Sequence, residues 1–228
     1  ILYPEVMINS NIVISDNQYW YDQFKKWAGK EFNYKKIPAP VDEYSNTKEK
    51  FSNRKKILWA SRVANQKLIS VLYQICKKMS AYTFVMYGEN PEEEQSKDYY
   101  EKIRRLDNVI IYPYFKSISD LNSDDFDLFL YTSCYDGIPN IILEMTSLSI
   151  PVVSSKICGI PEVFGNEYEL FIEEYENPKS YCEKIELFYK NPEYYYNIMS
   201  EIRKKVLDIH SRDNFRKAYL ELLSKVNE

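Results

Sequence analysis

Two short segments of the sequence carry charged residues at a spacing that suits a phosphorylated ligand. The first, called here the cation segment, is residues 60–67 (ASRVANQK), in which Arg62 precedes Lys67 by five positions. A guanidinium grips two phosphate oxygens at once and an ammonium adds a point charge, so this pair suits a diphosphate without any metal. The spacing alone leaves open that both are solvated surface residues.

The second, the glycine segment, is residues 131–144 (YTSCYDGIPNIILE). Gly137 allows a close backbone approach, and Pro139 suits the first turn of a helix. The N–H groups of Ile138, Asn140 and Ile141 would then form an anion site that the helix dipole reinforces.

Two carboxylates flank this predicted helix start. Asp136 precedes it, and Glu144 lies eight positions further on, which is roughly 12 Å along a helix axis and too far for one shared proton. The layout fits a long ligand with hydroxyls at both ends and an anionic centre, such as a nucleotide-sugar. An aspartate that favours the helix dipole, plus an unrelated helical glutamate, is the alternative.

The elements that would position these segments alternate between apolar strands and helices, which predicts a parallel sheet covered on both faces. Strands are expected at residues 57–60, 82–87, 109–112, 126–131 and 151–155. Helices are expected at residues 67–79, 92–106, 138–148, 178–189, 192–209 and 214–226. Because ligands of such a sheet gather at the carboxyl ends of its strands, both segments stand where a site is expected.

The composition excludes several other kinds of site. The 228 residues include 30 Lys plus Arg and 34 Asp plus Glu, a net charge of −4 that gives nucleic acid little electrostatic reason to bind. One histidine and four cysteines without close pairs exclude histidine-rich metal centres and zinc ribbons, and the cysteines are interpreted as reduced and intracellular. The five glycines form neither common phosphate-loop motif.

Taken together, the motifs resemble the donor-binding half of the retaining family 4 glycosyltransferases. The matching features are Arg62 with Lys67, residues 136–140 (DGIPN) with Glu144, and residues 151–163 (PVVSSKICGIPEV). The resemblance covers about residues 55–226. It implies the C-terminal half of a GT-B fold, that is, an α/β, Rossmann-like, doubly wound parallel sheet with extra C-terminal helices.

By position, the resemblance implies that Arg62 and Lys67 hold the diphosphate and stabilise it as a leaving group. Glu144 would accept the ribose hydroxyls. Asp136 stands where the family usually has glutamate and would contact the transferred sugar, so Asp136, Arg62 and Lys67 are the candidate catalytic residues. Phe115, just after the strand expected at 109–112, is a candidate contact for the base. No metal or other cofactor is expected.

Besides Asp136, three positions depart from the family pattern. Ser61, Leu68 and Cys158 replace glycines that are common there, which puts the loop geometry and the choice of sugar in question.

The resemblance also implies a domain organisation. Residues 11–15 and 17–28 predict one strand and one helix, and residues 37–53 have the composition of an exposed connector. We therefore expect residues 1–44 to be the end of an N-terminal acceptor domain plus connector, and residues 45–228 to be the donor domain. The basic residues of the connector are interpreted as solvated, with a membrane-surface patch in the full-length enzyme as the alternative; they are Lys48, Lys50, Arg54, Lys55 and Lys56.

The expected partners follow from this organisation. The chain alone would bind a nucleotide-sugar weakly and transfer little or no sugar, because most of the acceptor half is missing. The full-length enzyme would act on a glycan or lipid-linked acceptor in polysaccharide synthesis, in the cytoplasm or at the inner face of the membrane. A noncatalytic nucleotide-sugar-binding or scaffold module and a sugar-nucleotide epimerase of the same architecture are the alternatives.

Overall fold

A small N-terminal unit precedes the main sheet. The structure is a computed structural model that describes residues 4–45, 47–48 and 50–226. The N-terminal unit consists of α1 (Pro4–Asn9), β1 (Val13–Ser15), α2 (Gln18–Ala28) and β2 (Tyr34–Lys36). β1 and β2 pair in parallel as a two-stranded sheet of their own, so this unit contributes no strand to the main sheet.

The main sheet contains six parallel strands within the described residues. They are β3 (Lys56–Ala60), β4 (Thr83–Tyr87), β5 (Val109–Tyr112), β6 (Leu128–Tyr131), β7 (Val152–Ser155) and β8 (Phe171–Ile172). Their order across the sheet is β5-β4-β3-β6-β7-β8. The chain therefore runs outward from β3 to one edge and returns to the other side of β3 at β6, which makes the β3–β6 junction the topological switch point of the sheet.

The central strands are buried because helices cover the sheet on both faces, whereas the edge strand β5 is buried only in part. Every residue of β6 and β7 is buried. The helices after β3 are α3 (Ile69–Lys78), α4 (Glu94–Ile103), α5 (Asn140–Ser147), α6 (Pro161–Phe164), α7 (Pro178–Lys190), α8 (Pro192–Ile209) and α9 (Arg212–Val226). This arrangement confirms the predicted α/β class, the parallel Rossmann-like sheet and the C-terminal helices.

Some boundaries differ from the prediction. The helix expected at 67–79 begins only at Ile69, because Asn65–Lys67 form a short 3₁₀ turn and Leu68 adopts a positive φ of 50°. Pro139 precedes α5 as its N-cap rather than lying in its first turn. β2 and β8 were not predicted, since strands of two or three residues are too short to show a periodicity.

The connector is less exposed than its composition predicts. Ile37 and Val41 are buried, and the side chain of Lys48 is only 2% accessible to solvent. The Lys48 ammonium donates to Ser52 Oγ at 3.0 Å and to the Asp124 carbonyl at 3.3 Å. The interpretation of Lys48 as a solvated or membrane-facing cation is therefore wrong, whereas Lys50, Arg54 and Lys55 are exposed.

The last helix returns to the N-terminal unit. Residues Glu221 and Leu222 of α9 line a cavity together with Ile12 and Tyr34. Among the helices of the described ranges, none combines the length and apolar character that a membrane span requires.

Candidate functional site

The two charged segments lie side by side at the switch point. β3 ends at Ala60 and β6 ends at Tyr131, and the two strands pair directly with Leu58 opposite Phe129. Each segment continues from the carboxyl end of its strand. The fold therefore brings together two parts of the chain that are about seventy positions apart in the sequence.

Hydrogen bonds to backbone carbonyl groups connect the two segments. The carbonyl of Gln66 accepts from Cys134 N at 3.0 Å and from Ser133 Oγ at 3.2 Å. Thr132 Oγ1 donates to the carbonyl of Lys67 at 2.6 Å. The Gln66 amide also donates to the Tyr135 carbonyl at 2.7 Å. Their relative position is thus set by several bonds and does not depend on one side-chain contact.

Lys67 and Asp136 form an ion pair at the centre of this contact. Lys67 Nζ lies 2.5 Å from Asp136 Oδ2, and the two side chains are 7% and 25% exposed. The Tyr131 hydroxyl donates to the same Oδ2 at 2.6 Å and accepts from Lys67 Nζ at 2.8 Å. In the sequence-based prediction, Lys67 contacts the diphosphate of a ligand and Asp136 contacts its sugar. The structure shows that the two side chains also contact each other.

The electrostatics of the three groups follow from their burial and their partners. Burial works to raise the pKa of Asp136, but hydrogen bonds from Lys67 and Tyr131 outweigh it and leave that pKa below its usual value. Burial first, and the Asp136 charge second, raise the pKa of the Tyr131 phenol. Asp136 is therefore a carboxylate and Tyr131 a neutral phenol at neutral pH.

Arg62 lies at the exposed rim of the site. Its guanidinium Nη2 donates to Gln66 Oε1 at 3.3 Å. Gln66 thus links Arg62 to the glycine segment, through its amide bond to Tyr135. Gln66 was not among the predicted site residues, because only the charged residues of the cation segment were selected. Its position directly before Lys67 is the signal that could have identified it.

The start of α5 already has an acceptor nearby. Ile138 N donates to Asp16 Oδ2 at 3.2 Å, so a carboxylate from the N-terminal unit occupies one of the three N–H groups expected to bind an anion. Asn140 and Ile141 occupy the first turn of α5, where N–H groups have no partner within the helix. Asp16 was missed by sequence reasoning, although it follows directly on the carboxyl end of β1.

A reciprocal contact holds the N-terminal unit against the site. The Glu162 carboxylate accepts from Gln18 N at 2.7 Å and Tyr19 N at 3.2 Å, at the start of α2. It also pairs with Lys36 Nζ at 2.8 Å. A Cβ on Gly159 would lie 2.9 Å from Asn17 Cβ, so the absence of a side chain at Gly159 is what allows this close approach.

Two of the family departures keep a glycine-like backbone. Leu68 and Cys158 have φ angles of 50° and 47°, in the left-handed region. For residues with a side chain this region costs about 1–2 kcal/mol. The loop after Lys67 and the loop before Gly159 therefore each retain a backbone conformation that glycine would adopt without this cost.

Glu144 and Phe115 have surroundings different from those of the ion pair. Glu144 is half-buried in α5, and burial first, with the nearby Asp42 charge second, raises its pKa. Phe115 is half-buried and packs edge-to-face on Tyr87, with 5.4 Å between ring centroids. Tyr87 in turn stacks on Tyr112, so an aromatic cluster stands at the carboxyl ends of β4 and β5. Within the described ranges no three His, Cys, Asp or Glu side chains are grouped closely enough to hold a metal ion.

The fold and the charged switch point define a Rossmann-like α/β domain, and the comparison with known families makes the assignment more specific. Residues 40–205 match the family described as Glycosyl transferases group 1. This match covers most of the chain, and the chain therefore belongs to that family.

Individual relatives agree with this assignment. WcaL of Escherichia coli (strain K12), named as a glycosyltransferase of colanic acid biosynthesis, is 29% identical over 119 residues, which are 47% of this chain and 29% of WcaL. The chain spans about three tenths of the length of the curated relatives that it matches.

Solved structures show the same fold. A point mutant of S. aureus TarM, in complex with fondaparinux, α-GlcNAc-glycerol and UDP, superposes with a TM-score of 0.80 at 22% identity, over 96% of this chain and 45% of TarM. Anabaena HepE in complex with UDP-glucose superposes with a TM-score of 0.80 at 18% identity, over 97% of this chain and 66% of HepE. At these identities the likeness concerns the fold alone.

Proposed function

We propose that this chain is the donor-binding part of a retaining glycosyltransferase and that it binds a nucleotide-diphosphate sugar. The observation that carries the proposal is the ion pair between the buried Lys67 and the partly buried Asp136, which stands at the switch point beside the start of α5. A cation and a helix N-terminus suit a diphosphate, and a carboxylate suits the sugar hydroxyls. The presence of UDP or UDP-glucose in the TarM and HepE structures supports uridine diphosphate sugars as the first donors to test.

The proposed donor lies along the carboxyl edge of the sheet. Its diphosphate contacts Lys67, the exposed Arg62 and the first turn of α5, while Asp136 contacts the sugar. Glu144 accepts from the ribose hydroxyls. The base reaches toward Phe115 beyond β4, which is the neighbour of β3.

The proposed chemistry uses charge rather than a base. As the bond between the anomeric carbon and the diphosphate oxygen breaks, negative charge develops on the leaving group, and Arg62 and Lys67 stabilise it. The acceptor hydroxyl attacks from the face that the leaving group occupies and passes its proton to a leaving-group oxygen, which preserves the anomeric configuration. The two cations supply the charge that a metal ion would otherwise provide.

The acceptor is proposed to be a glycan or a lipid-linked glycan in polysaccharide synthesis. The name of WcaL supports the polysaccharide role, and the α-GlcNAc-glycerol in the TarM complex supports a glycosylated compound as a partner of that fold. Residues 1–44 are proposed to end the acceptor domain, which a longer chain would complete. We place the full-length enzyme in the cytoplasm, with peripheral contact at the inner face of the membrane.

Calorimetric titration with UDP and a panel of nucleotide-sugars tests the donor site. Arg62→Ala should raise the Kd for UDP about tenfold, since a charge-assisted bidentate contact is lost. Arg105→Ala is the matched control, because Arg105 is also exposed but precedes β5 at the amino edge of the sheet. Equal effects of the two variants, or no binding by the wild-type chain, would contradict the proposal.

A second experiment separates an enzyme from a noncatalytic module. In a full-length protein, Asp136→Ala should abolish most transfer, and Asp136→Glu, which restores the usual family residue, should retain it. Indifference of transfer to both changes would favour a scaffold. Release of nucleotide and altered sugar without acceptor would favour an epimerase.

A further inference from the structure

Tyr131 lies in the candidate site, although it is the last residue of a buried strand. It is the last residue of β6 and is 1% exposed. Its hydroxyl lies between the two charged groups, donating to Asp136 Oδ2 at 2.6 Å and accepting from Lys67 Nζ at 2.8 Å. The Lys67 ammonium also lies 5.0 Å from the centre of the Tyr131 ring.

The hydrogen-bonding capacity of the three groups shows what the hydroxyl does. An ammonium has three N–H donors, and Lys67 uses two of them on Tyr131 and Asp136. Each carboxylate oxygen has two acceptor sites. Oδ2 of Asp136 uses both on Lys67 and Tyr131, and Oδ1 uses one on Gly137 N at 2.9 Å. Within the described part of the chain, one donor on Lys67 and one acceptor site on Asp136 are therefore left for a ligand.

We infer that Tyr131 is a positioning residue of the donor site, whose hydroxyl fixes the Lys67 ammonium and the Asp136 carboxylate so that one donor and one acceptor remain for the ligand. This inference rests on the proposed function. Lys67 then directs its remaining N–H toward the terminal phosphate of a nucleoside diphosphate. Asp136 directs its remaining acceptor site toward one hydroxyl of the sugar.

Without the hydroxyl, Lys67 loses one of the two partners described above, and Asp136 loses one of three. Asp136 would compete more strongly with a ligand phosphate for the Lys67 ammonium. The ammonium would also lose the acceptor that orients its second N–H. A phosphate would then have to draw Lys67 away from Asp136 before binding it. The effect should therefore appear for ligands that reach Lys67 and be absent for ligands that do not.

The purely structural explanation makes a different prediction. If Tyr131 only fills the core, loss of its hydroxyl would affect stability and would weaken all ligands of the domain alike. UDP and UMP separate the two explanations, because UMP lacks the terminal phosphate that Lys67 is inferred to contact.

The test is calorimetric titration of Tyr131→Phe with UDP and with UMP. The substitution keeps the ring over Lys67 and removes only the hydroxyl. We expect the Kd for UDP to rise about tenfold, as for a lost hydrogen bond to a charged group, and the Kd for UMP to change less than about twofold. If Tyr131→Phe does not fold, Tyr131→Met is the second variant, because methionine fills much of the same space without a hydroxyl. The same changes in the two Kd values are expected for it.

Tyr196→Phe is the matched control. Tyr196 is also buried, and its hydroxyl donates to the Asp127 carbonyl at 2.9 Å, away from both charged segments. Tyr196→Phe should leave the Kd values for UDP and UMP unchanged. Its change in Tm in thermal unfolding measures what the loss of a buried hydroxyl costs in stability. An unchanged or tighter UDP affinity in Tyr131→Phe, or equal weakening of UDP and UMP, overturns the inference. If the wild-type protein binds neither nucleotide, the proposed function fails instead, and the inference with it.

Discussion

Replacement of Asp136 by asparagine is expected to destabilise the protein before any ligand is considered. Asparagine has nearly the same shape but no negative charge, so the Lys67 ammonium, 7% exposed, would be left without its counter-charge. Removal of one partner of a buried ion pair costs about 3–5 kcal/mol. Because the Asp136 side chain is 25% exposed, we take the lower end, about 3 kcal/mol.

Differential scanning calorimetry measures this cost. For a chain of this size each kcal/mol lowers the Tm by about 2–4 °C, so Asp136→Asn should lower it by about 6–12 °C. Asp98→Asn is the control: Asp98 pairs with Lys102 one helical turn away, with both side chains largely exposed. Solvent screens such an exposed pair, so Asp98→Asn should lower the Tm by no more than about 1–2 °C. A shift in Asp136→Asn no larger than that of Asp98→Asn would refute the reasoning.

The pH dependence checks the sign of the same interaction. The pKa of Asp136 is depressed in the folded state from an ordinary value of 3.8. Its contribution is therefore fully present above that ordinary value and is lost as the pH falls through the lower folded value. The Tm difference between wild type and Asp136→Asn should stay constant between about pH 8 and pH 5 and narrow below about pH 4. A difference that widens on acidification would contradict this assignment.

Three further predictions concern the contacts around the site. Asp16→Asn should tighten UDP binding about fivefold, since the repulsion between a carboxylate and a phosphate about 4 Å apart costs about 1 kcal/mol even in water. Asp22→Asn, on the exposed face of α2, is the control. Weaker binding by Asp16→Asn would mean that Asp16 assists the ligand. Glu162→Gln should speed hydrogen exchange in α2 but not in α8, because an amide oxygen is a weaker acceptor than a carboxylate for the N–H groups at the start of α2, and Lys36 loses its counter-charge. Equal exchange in both proteins would show that other contacts hold the helix. Excess EDTA should leave the Kd for UDP unchanged, and a lost affinity would disprove the metal-free assignment of Arg62 and Lys67.

The class of fold and the two segments of the candidate site can be predicted from the amino-acid sequence alone. Apolar runs such as residues 57–60 and 126–131, separated by amphipathic stretches, are sufficient to predict a parallel sheet with crossover helices, because hydrophobic periodicity is a local property of the chain. The carboxyl-end rule then selected the segments that contain Lys67 and Asp136. Both statements depend only on residues that are near one another in the sequence.

Which groups contact one another depends on how the elements pack in three dimensions. Tyr131 reads as the last apolar residue of a strand, and its hydroxyl becomes a partner of Lys67 only because β3 and β6 are neighbours. Asp16 reaches the start of α5 from 122 positions away, and Lys48 is buried against a loop that follows in the sequence much later. Partners of this kind depend on strand order and on the docking of separate units, and no local pattern of residue types encodes either.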